Sequence, residues 1–162
     1  MNILFKKAEE KDIATIAALA DKIWKEHYTS IISMEQINYM LDKMYSAESL
    51  KQQMKDGHQF TLAYIDGAPV GYISISTKDE KNYFLNKLYV DVSTHRKGVG
   101  SHLFDYALQE LKYVETIELA VNRENYKAIN FYFKKGFVIK HTIDLDIGGG
   151  FFMNDFLMIK KF

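Results

Sequence analysis

The chain contains no cysteine, and that single absence removes disulfides, thiolate nucleophiles and cysteine-ligated zinc together. It has no net charge either: 21 basic side chains balance 21 acidic ones. No overall field therefore draws it toward nucleic acid, an anionic membrane or a polycationic partner, and any charged substrate must be recognised locally. No apolar run approaches the roughly 18–20 residues that span a bilayer. The opening Met1-Asn2-Ile3-Leu4-Phe5-Lys6-Lys7 is too short in its apolar part, and charged too soon, for a signal peptide, so a cytoplasmic location is the expectation. The five histidines, His27, His58, His95, His102 and His141, are scattered and form no metal-ligand spacing with Asp or Glu; no metal is expected. Repeats, low-complexity tracts and linkers are missing as well, so one domain over residues 1–162 is expected.

What is present is apolar matter in ordered patterns. The composition is 48% hydrophobic and 14% aromatic over 162 residues, enough to offset the conformational entropy of one domain. Residues 2–8 read as a strand and 9–28 as a helix, with Ile13, Ile16, Ala17, Ala20 and Trp24 on one face. Ser33-Met34-Glu35-Gln36 has the capping-box form and starts a second helix; Ser46 is a candidate cap for a third over 47–55. Strands at 58–65 and 70–77 flank Asp66-Gly67-Ala68-Pro69 as a hairpin, which keeps the lone proline by the turn, and 82–92 is a longer third strand. Then come a helix over 99–113, a short buried strand at 116–121 and a helix over 124–135 stopped by Gly136. Strands at 137–147 and 151–160 close the chain around Gly148-Gly149-Gly150. Strand, helix and strand in that order predict a parallel crossover.

The richest local feature is His95-Arg96-Lys97-Gly98-Val99-Gly100-Ser101, between a strand and a helix. A helix start offers backbone N–H groups without intrahelical partners and partial positive charge, so a glycine-bearing turn leading into one can hold an anion. Arg96 and Lys97 add charge beside it. On its own, the alternative is a glycine pair that merely shapes a tight connection. A P-loop is disfavoured because its Gly-Lys-Ser/Thr is missing, and a dinucleotide fingerprint because Leu103 stands where the third glycine belongs.

With Leu85-Asn86-Lys87-Leu88-Tyr89-Val90-Asp91-Val92 before it, this turn resembles the cofactor motif of the GNAT acetyltransferases, Arg/Gln-x-x-Gly-x-Gly/Ala, departing only in His95 at the first position. Asn125, Ala128, Tyr132, Gly136 and Phe137 match every named position of the same family's Asn-x-x-Ala-x-x-x-Tyr-x-x-x-Gly-Phe helix. The start at Ala8-Glu9-Glu10-Lys11-Asp12-Ile13 is similar too, so the resemblance covers the whole chain. It implies an α/β (α+β) fold: a mixed, mostly antiparallel sheet of about seven strands with helices on both faces, and a splayed strand pair holding acetyl-CoA.

The resemblance also implies roles. Backbone groups of residues His95, Arg96, Lys97, Gly98, Val99, Gly100 and Ser101 would take the pyrophosphate, and Asn125 the pantetheine or phosphate region. Backbone N–H groups near Leu88, Tyr89 and Val90 would polarise the acetyl carbonyl. A primary amine of a small molecule or peptide would attack directly, without nucleic acid or membrane as partner. Tyr132 would protonate the leaving thiolate; the alternatives are an ordinary core aromatic for Tyr132 and a plain helix cap for Asn125. Trp24, His27 and Tyr28 lie where relatives shape the acceptor pocket, with core packing as the other reading of Trp24. The base is unassigned: Phe84 stands where many relatives carry glutamate, Asn86 and Lys87 are set aside, and Glu26, His27, Tyr28, Asp144, Asp146 and Asp155 remain. Without that glutamate, a non-catalytic acyl-CoA-binding or sensing module is the competing reading. Quaternary structure, monomer or homodimer, stays open because a strand edge near the carboxyl terminus could pair or be covered.

Overall fold

The computed structural model describes residues 2–162, the side chains of His95 and Arg96 excepted. Seven strands form one mixed sheet in the order β1-β2-β3-β4-β5-β7-β6, flanked by five helices. The chain divides into two compact units, residues 2–76 with Lys87–Lys112, and Thr77–Asn86 with Tyr113–Phe162. Strand β4 (Asn82–Val90) contributes its first half to the second unit and its last residues to the first.

In the first unit, β1 (Ile3–Lys7) pairs antiparallel with β2 (Gln59–Ile65), and β2 with β3 (Ala68–Thr77). The β2–β3 turn is tighter than the sequence suggests. Ile65 pairs directly with Ala68, so only Asp66 and Gly67 form it, both at positive φ (49° and 83°). A two-residue turn of this kind matches the right-handed twist of the flanking strands. Pro69 is thereby drawn into β3, opposite Tyr64 and beside a register shift between Ala63 and Tyr64, which spares the ladder the N–H that proline lacks.

Helix α1 (Ile13–His27) starts later than its pattern predicts. The Asp12 carboxylate accepts the Glu9 N–H at 2.9 Å and an ion pair from Lys6 at 3.1 Å, holding Glu10–Asp12 as a single 3-10 turn. Helices α2 (Met34–Tyr45) and α3 (Ala47–Lys55) begin where their serines foretell: Ser33 and Ser46 accept the N–H groups of Gln36 and Ser49, each at 3.1 Å. Helix α4 (Val99–Gln109) stops short of the expected Tyr113, because the Leu111 N–H turns back to the Leu108 carbonyl and Tyr113 is left exposed. Ile16, Ile23, Ile37, Leu50, Phe60, Leu62, Leu103 and Phe104 form the core of this unit.

In the second unit, β5 (Thr116–Asn122) runs parallel to β4, with pairs from Asn82↔Thr116 to Leu85↔Leu119, as the crossover pattern requires. Helix α5 (Tyr126–Lys134) follows. Strand β7 (Phe151–Lys161) pairs antiparallel with β5 on one side and with β6 (Val138–Gly148) on the other. Strand β6 is an edge exposed at most positions, and register shifts at Ile139/His141 and Asp146/Gly148 interrupt it at both ends.

Candidate active site

Strand β4 ends at Val90, two residues before its expected limit, because Asp91 begins a new structure. The Asp91 carboxylate accepts the Ser93 N–H and hydroxyl, each at 3.0 Å, and the Lys22 ammonium at 2.7 Å. Burial alone would raise the pKa of Asp91, but these hydrogen bonds outweigh it and hold the carboxyl below the ordinary carboxylate range. The anchored aspartate caps a 3-10 segment, Val92–Lys97. The spacing Asp91-Val92-Ser93 is an Asx-turn signal that could have announced it.

That segment delivers the chain to Gly98 at φ 72°, a left-handed conformation that favours glycine. Gly98 is the N-cap of α4 and has no side chain to satisfy the first turn. The ladder of α4 opens with the His102 N–H on the Gly98 carbonyl at 3.1 Å, so the N–H groups of Val99, Gly100 and Ser101 precede the first intrahelical bond. Gly98, Gly100 and Ser101 are half-buried and Lys97 is exposed. No acidic residue lies in the first turn. An anion is the natural complement of this helix start. The roles assigned to the His95 and Arg96 side chains lie outside the described residues.

The end of β4 rests on aromatic groups. Tyr89 and Val90 lie so close to β3 that a Cβ on Gly71 would come within 2.9 Å of the Tyr89 carbonyl oxygen. The Tyr89 ring packs 5.5 Å from Trp24 and 5.7 Å from Tyr72, centroid to centroid, and its hydroxyl is 3.2 Å from that of Tyr28. Tyr72 donates its hydroxyl hydrogen to Tyr45 at 2.9 Å. Burial holds both Tyr45 and Tyr72 well above the ordinary tyrosine value, so they remain neutral. Of the three acceptor-side candidates, Trp24 (2% exposed) and Tyr28 are thus buried together against Tyr89, while half-buried His27 meets the Tyr28 ring edge-on at 4.8 Å.

Lys87, set aside on sequence, is buried. Its ammonium donates to the Gln53 side-chain oxygen at 2.8 Å and lies over the Tyr45 and Phe60 rings at 5.3 and 5.8 Å. Burial pulls its pKa down to about 8.

In the second unit, Asn125 receives the Ala128 N–H on its side-chain oxygen at 3.3 Å and so caps α5. Its own N–H reaches the Asn122 carbonyl at 3.0 Å. Asn125→Ala should therefore cost about 1 kcal/mol of stability through the cap alone, read by urea denaturation; an unchanged midpoint would show the cap to be dispensable. Tyr132, on the same helix, is buried with its ring 5.5 Å from Phe137.

The candidate bases differ sharply. Glu26 is exposed. Asp144 is taken by Arg123 at 2.7 Å, and Asp146 accepts the Gly148 N–H at 2.9 Å. Asp155 is buried, and burial raises its pKa to about 6 against an opposing pull from Arg123. Glu118, also buried, is held between Lys78 and Lys140; the Lys78 hydrogen bond leads in lowering its pKa. Among the described residues no group of three or more His, Cys, Asp or Glu could hold a metal ion, and no helix is long and apolar enough to cross a membrane.

A parallel β4–β5 pair with helix α4 between its strands in sequence is the fold element that carries this helix start, and the family follows from comparison. Residues 28–143 match the acetyltransferase (GNAT) domain model, so the chain belongs to the GNAT family of acetyltransferases. It is 28% identical, over 169 aligned positions spanning 100% of this chain and 99% of the other, to a spermidine N(1)-acetyltransferase of Thermoplasma acidophilum. Among solved structures it resembles the PaiA N-acetyltransferase of Thermoplasma acidophilum in complex with coenzyme A, at TM-score 0.84 and 27% identity over 100% of both chains. It also resembles a GNAT-family acetyltransferase of Streptococcus pneumoniae, at TM-score 0.68 and 25% identity over 99% of this chain and 100% of that one.

Proposed function

We propose that this chain works as one cytoplasmic acetyltransferase domain, moving the acetyl group of acetyl-CoA directly to a primary amine, with polyamines the first acceptor class to try. The observation that carries the reading is the start of α4: a left-handed glycine cap, no capping side chain, no acid in the first turn, and the amides of Val99, Gly100 and Ser101 ahead of the first intrahelical bond. Those features fit a pyrophosphate. Lys97 adds charge there, as Arg96 does by its place in the sequence. When bound, acetyl-CoA supplies a thioester acetyl group and a thiolate leaving group.

The remaining roles rest on the match to the family motifs. Backbone groups at Leu88, Tyr89 and Val90 polarise the acetyl carbonyl, which is worth most where water is excluded. Asn125 binds along the pantetheine arm, Tyr132 protonates the thiolate, and His27 with Tyr28 and Trp24 shapes the acceptor side. The polyamine preference is supported by the similarity to a spermidine acetyltransferase. A positioned base contributes about 10²–10⁴ in rate, whereas juxtaposition of the reactants can supply roughly 7–11 kcal/mol, so loss of the β4 glutamate at Phe84 is compatible with turnover.

The test is direct. Acetyl-CoA should stabilise the protein thermally where a purine nucleotide does not. A panel of spermidine, amino acids, aminoglycosides and peptide amino termini should release free CoA thiol with at least one acceptor. Binding without thiol release would favour the sensing module; stabilisation by the nucleotide instead would sink the acetyl-CoA reading. Gly100→Val places a branched side chain at the amides facing the anion and should weaken acetyl-CoA binding about tenfold, equivalent to about 1.4 kcal/mol by calorimetry. Wild-type affinity in that variant would move the pyrophosphate elsewhere.

A further inference from the structure

We propose that Asp91 is a positioning residue for acetyl-CoA: paired with Lys22 of α1, it holds the stretch from Val92 to Gly98 in the form that offers its amides to the pyrophosphate. This rests on the acetyltransferase reading above and extends the cofactor grip to two residues outside the glycine-bearing turn. Lys22, Asp91 and α4 all belong to the first unit.

Packing does little to hold this stretch. Among its described side chains Val92 (42% exposed), Ser93 and Lys97 face solvent, and Thr94 alone is buried. Apolar anchoring resumes at Val99, which is fully buried, with Leu103 and Phe104 behind it. The core of α4 therefore fixes the amides of Val99, Gly100 and Ser101. The amides just ahead of them, which the family motif also assigns to the pyrophosphate, depend on the bonds at the other end of the stretch. Gly98 adds none of its own, because it caps α4 without a side chain.

Those bonds converge on Asp91, which is 6% exposed and uses every polar atom it has. Its N–H donates to the Val70 carbonyl at 2.7 Å, tying it to β3. Its carbonyl accepts the Thr94 N–H at 2.9 Å and the Thr94 hydroxyl at 2.8 Å. One carboxylate oxygen accepts the Ser93 N–H and hydroxyl, each at 3.0 Å, and the other the Lys22 ammonium at 2.7 Å. Both donors of Ser93 and both of Thr94 thus close on one residue, whereas the caps Ser33 and Ser46 each receive a single N–H. Lys22 reaches in from 69 positions earlier and supplies the countercharge that a buried carboxylate requires. The countercharge has a second use here, because an uncompensated carboxylate would repel the anion that the turn is built to hold.

The experiment measures acetyl-CoA binding by calorimetry, and both KM values and kcat with an accepted amine, in variants of the pair. Asp91→Ala should weaken acetyl-CoA binding about tenfold and raise its KM in proportion, while kcat and the KM of the amine stay within about threefold. A merely structural role would lower Tm without moving the affinity of the folded protein. Asp91→Asn keeps a side-chain oxygen for Ser93 and should recover most of the affinity lost in Asp91→Ala. Lys22→Met should weaken binding about threefold in the wild-type background and not at all on top of Asp91→Ala, because the lysine acts through the carboxylate. If Asp91→Ala does not fold, Lys22→Met, whose side chain is 56% exposed, decides alone. A folded Asp91→Ala protein with wild-type affinity, an amine KM that rises as much as that of acetyl-CoA, no recovery in Asp91→Asn, or wild-type affinity in Lys22→Met each overturns the assignment. A wild-type protein that binds no acetyl-CoA overturns the acetyltransferase reading itself, and this one with it.

Discussion

Tyr132→Phe should lower the turnover of acetyl transfer on the order of 10²-fold while leaving acetyl-CoA affinity within about threefold. Phenylalanine keeps the ring, so its contact with Phe137 and its place in the core survive and the fold is undisturbed. What is lost is a neutral O–H able to donate to a leaving thiolate. The helix that presents it is fixed at both ends, by the Asn125 cap and by the Phe137 N–H on the Tyr132 carbonyl at 3.0 Å, so two backbone anchors of the residue are kept in the variant. A single-turnover measurement of thiol release isolates the chemical step. Unchanged single-turnover rates would return Tyr132 to the status of a core aromatic and leave the acid unassigned.

The parts of this molecule that sequence could foresee are those written in a few adjacent residues. Ser33, Ser46 and Asn125 cap the helices they precede because a capping oxygen needs only a backbone N–H three positions on. Gly98 and Gly100 foretell the anion-ready turn for the same reason: the amides it offers belong to the next three residues. Apolar spacing placed most elements, and its errors sit at their ends. Helix α4 was overrun to Tyr113 because Leu111 continues the stripe although its N–H has already turned back. Pro69 falls in the turn only when Asp66-Gly67-Ala68-Pro69 is read as one turn-forming run; Asp66-Gly67 alone carries the signature of the two-residue turn with both φ positive.

The aromatic surroundings of Trp24 and the buried titratable groups were hidden by distance along the chain. Lys87 is buried by Tyr45, Gln53 and Phe60, on two helices and a strand far from it in sequence. Asp155 becomes exceptional only when pairing with Asn122 and Ile143 sets it inside while Arg123 is drawn off to Asp144. Nothing adjacent to either residue distinguishes it from an ordinary surface charge. Trp24 was legible as part of an apolar face, but its contacts with Tyr45 and Tyr89 come from two elements distant in sequence.

Lys87→Met should stabilise the protein at neutral pH, with a gain that disappears in alkali. Lysine ordinarily titrates at 10.5, and burial holds Lys87 at about 8. The difference corresponds to about 3 kcal/mol carried by the native state wherever lysine is charged in both states. Methionine fills a similar volume without a charge. It leaves the Gln53 side-chain oxygen without its donor, which returns about 1 kcal/mol. A net gain of about 2 kcal/mol is expected below pH 8, equivalent to a rise in Tm of roughly 4–8 °C for a chain of this size. The sign reverses the usual acid argument. Above pH 8 the native wild-type protein sheds this proton while the unfolded chain still holds it, so the unfolded state binds more protons and wild-type stability climbs with pH toward 10.5. The advantage of the variant should therefore shrink across that window. Urea denaturation of both proteins at pH 6.5, 8 and 10 reads it directly. A difference between them that stays constant across the three would mean that the ammonium is not desolvated in the native state.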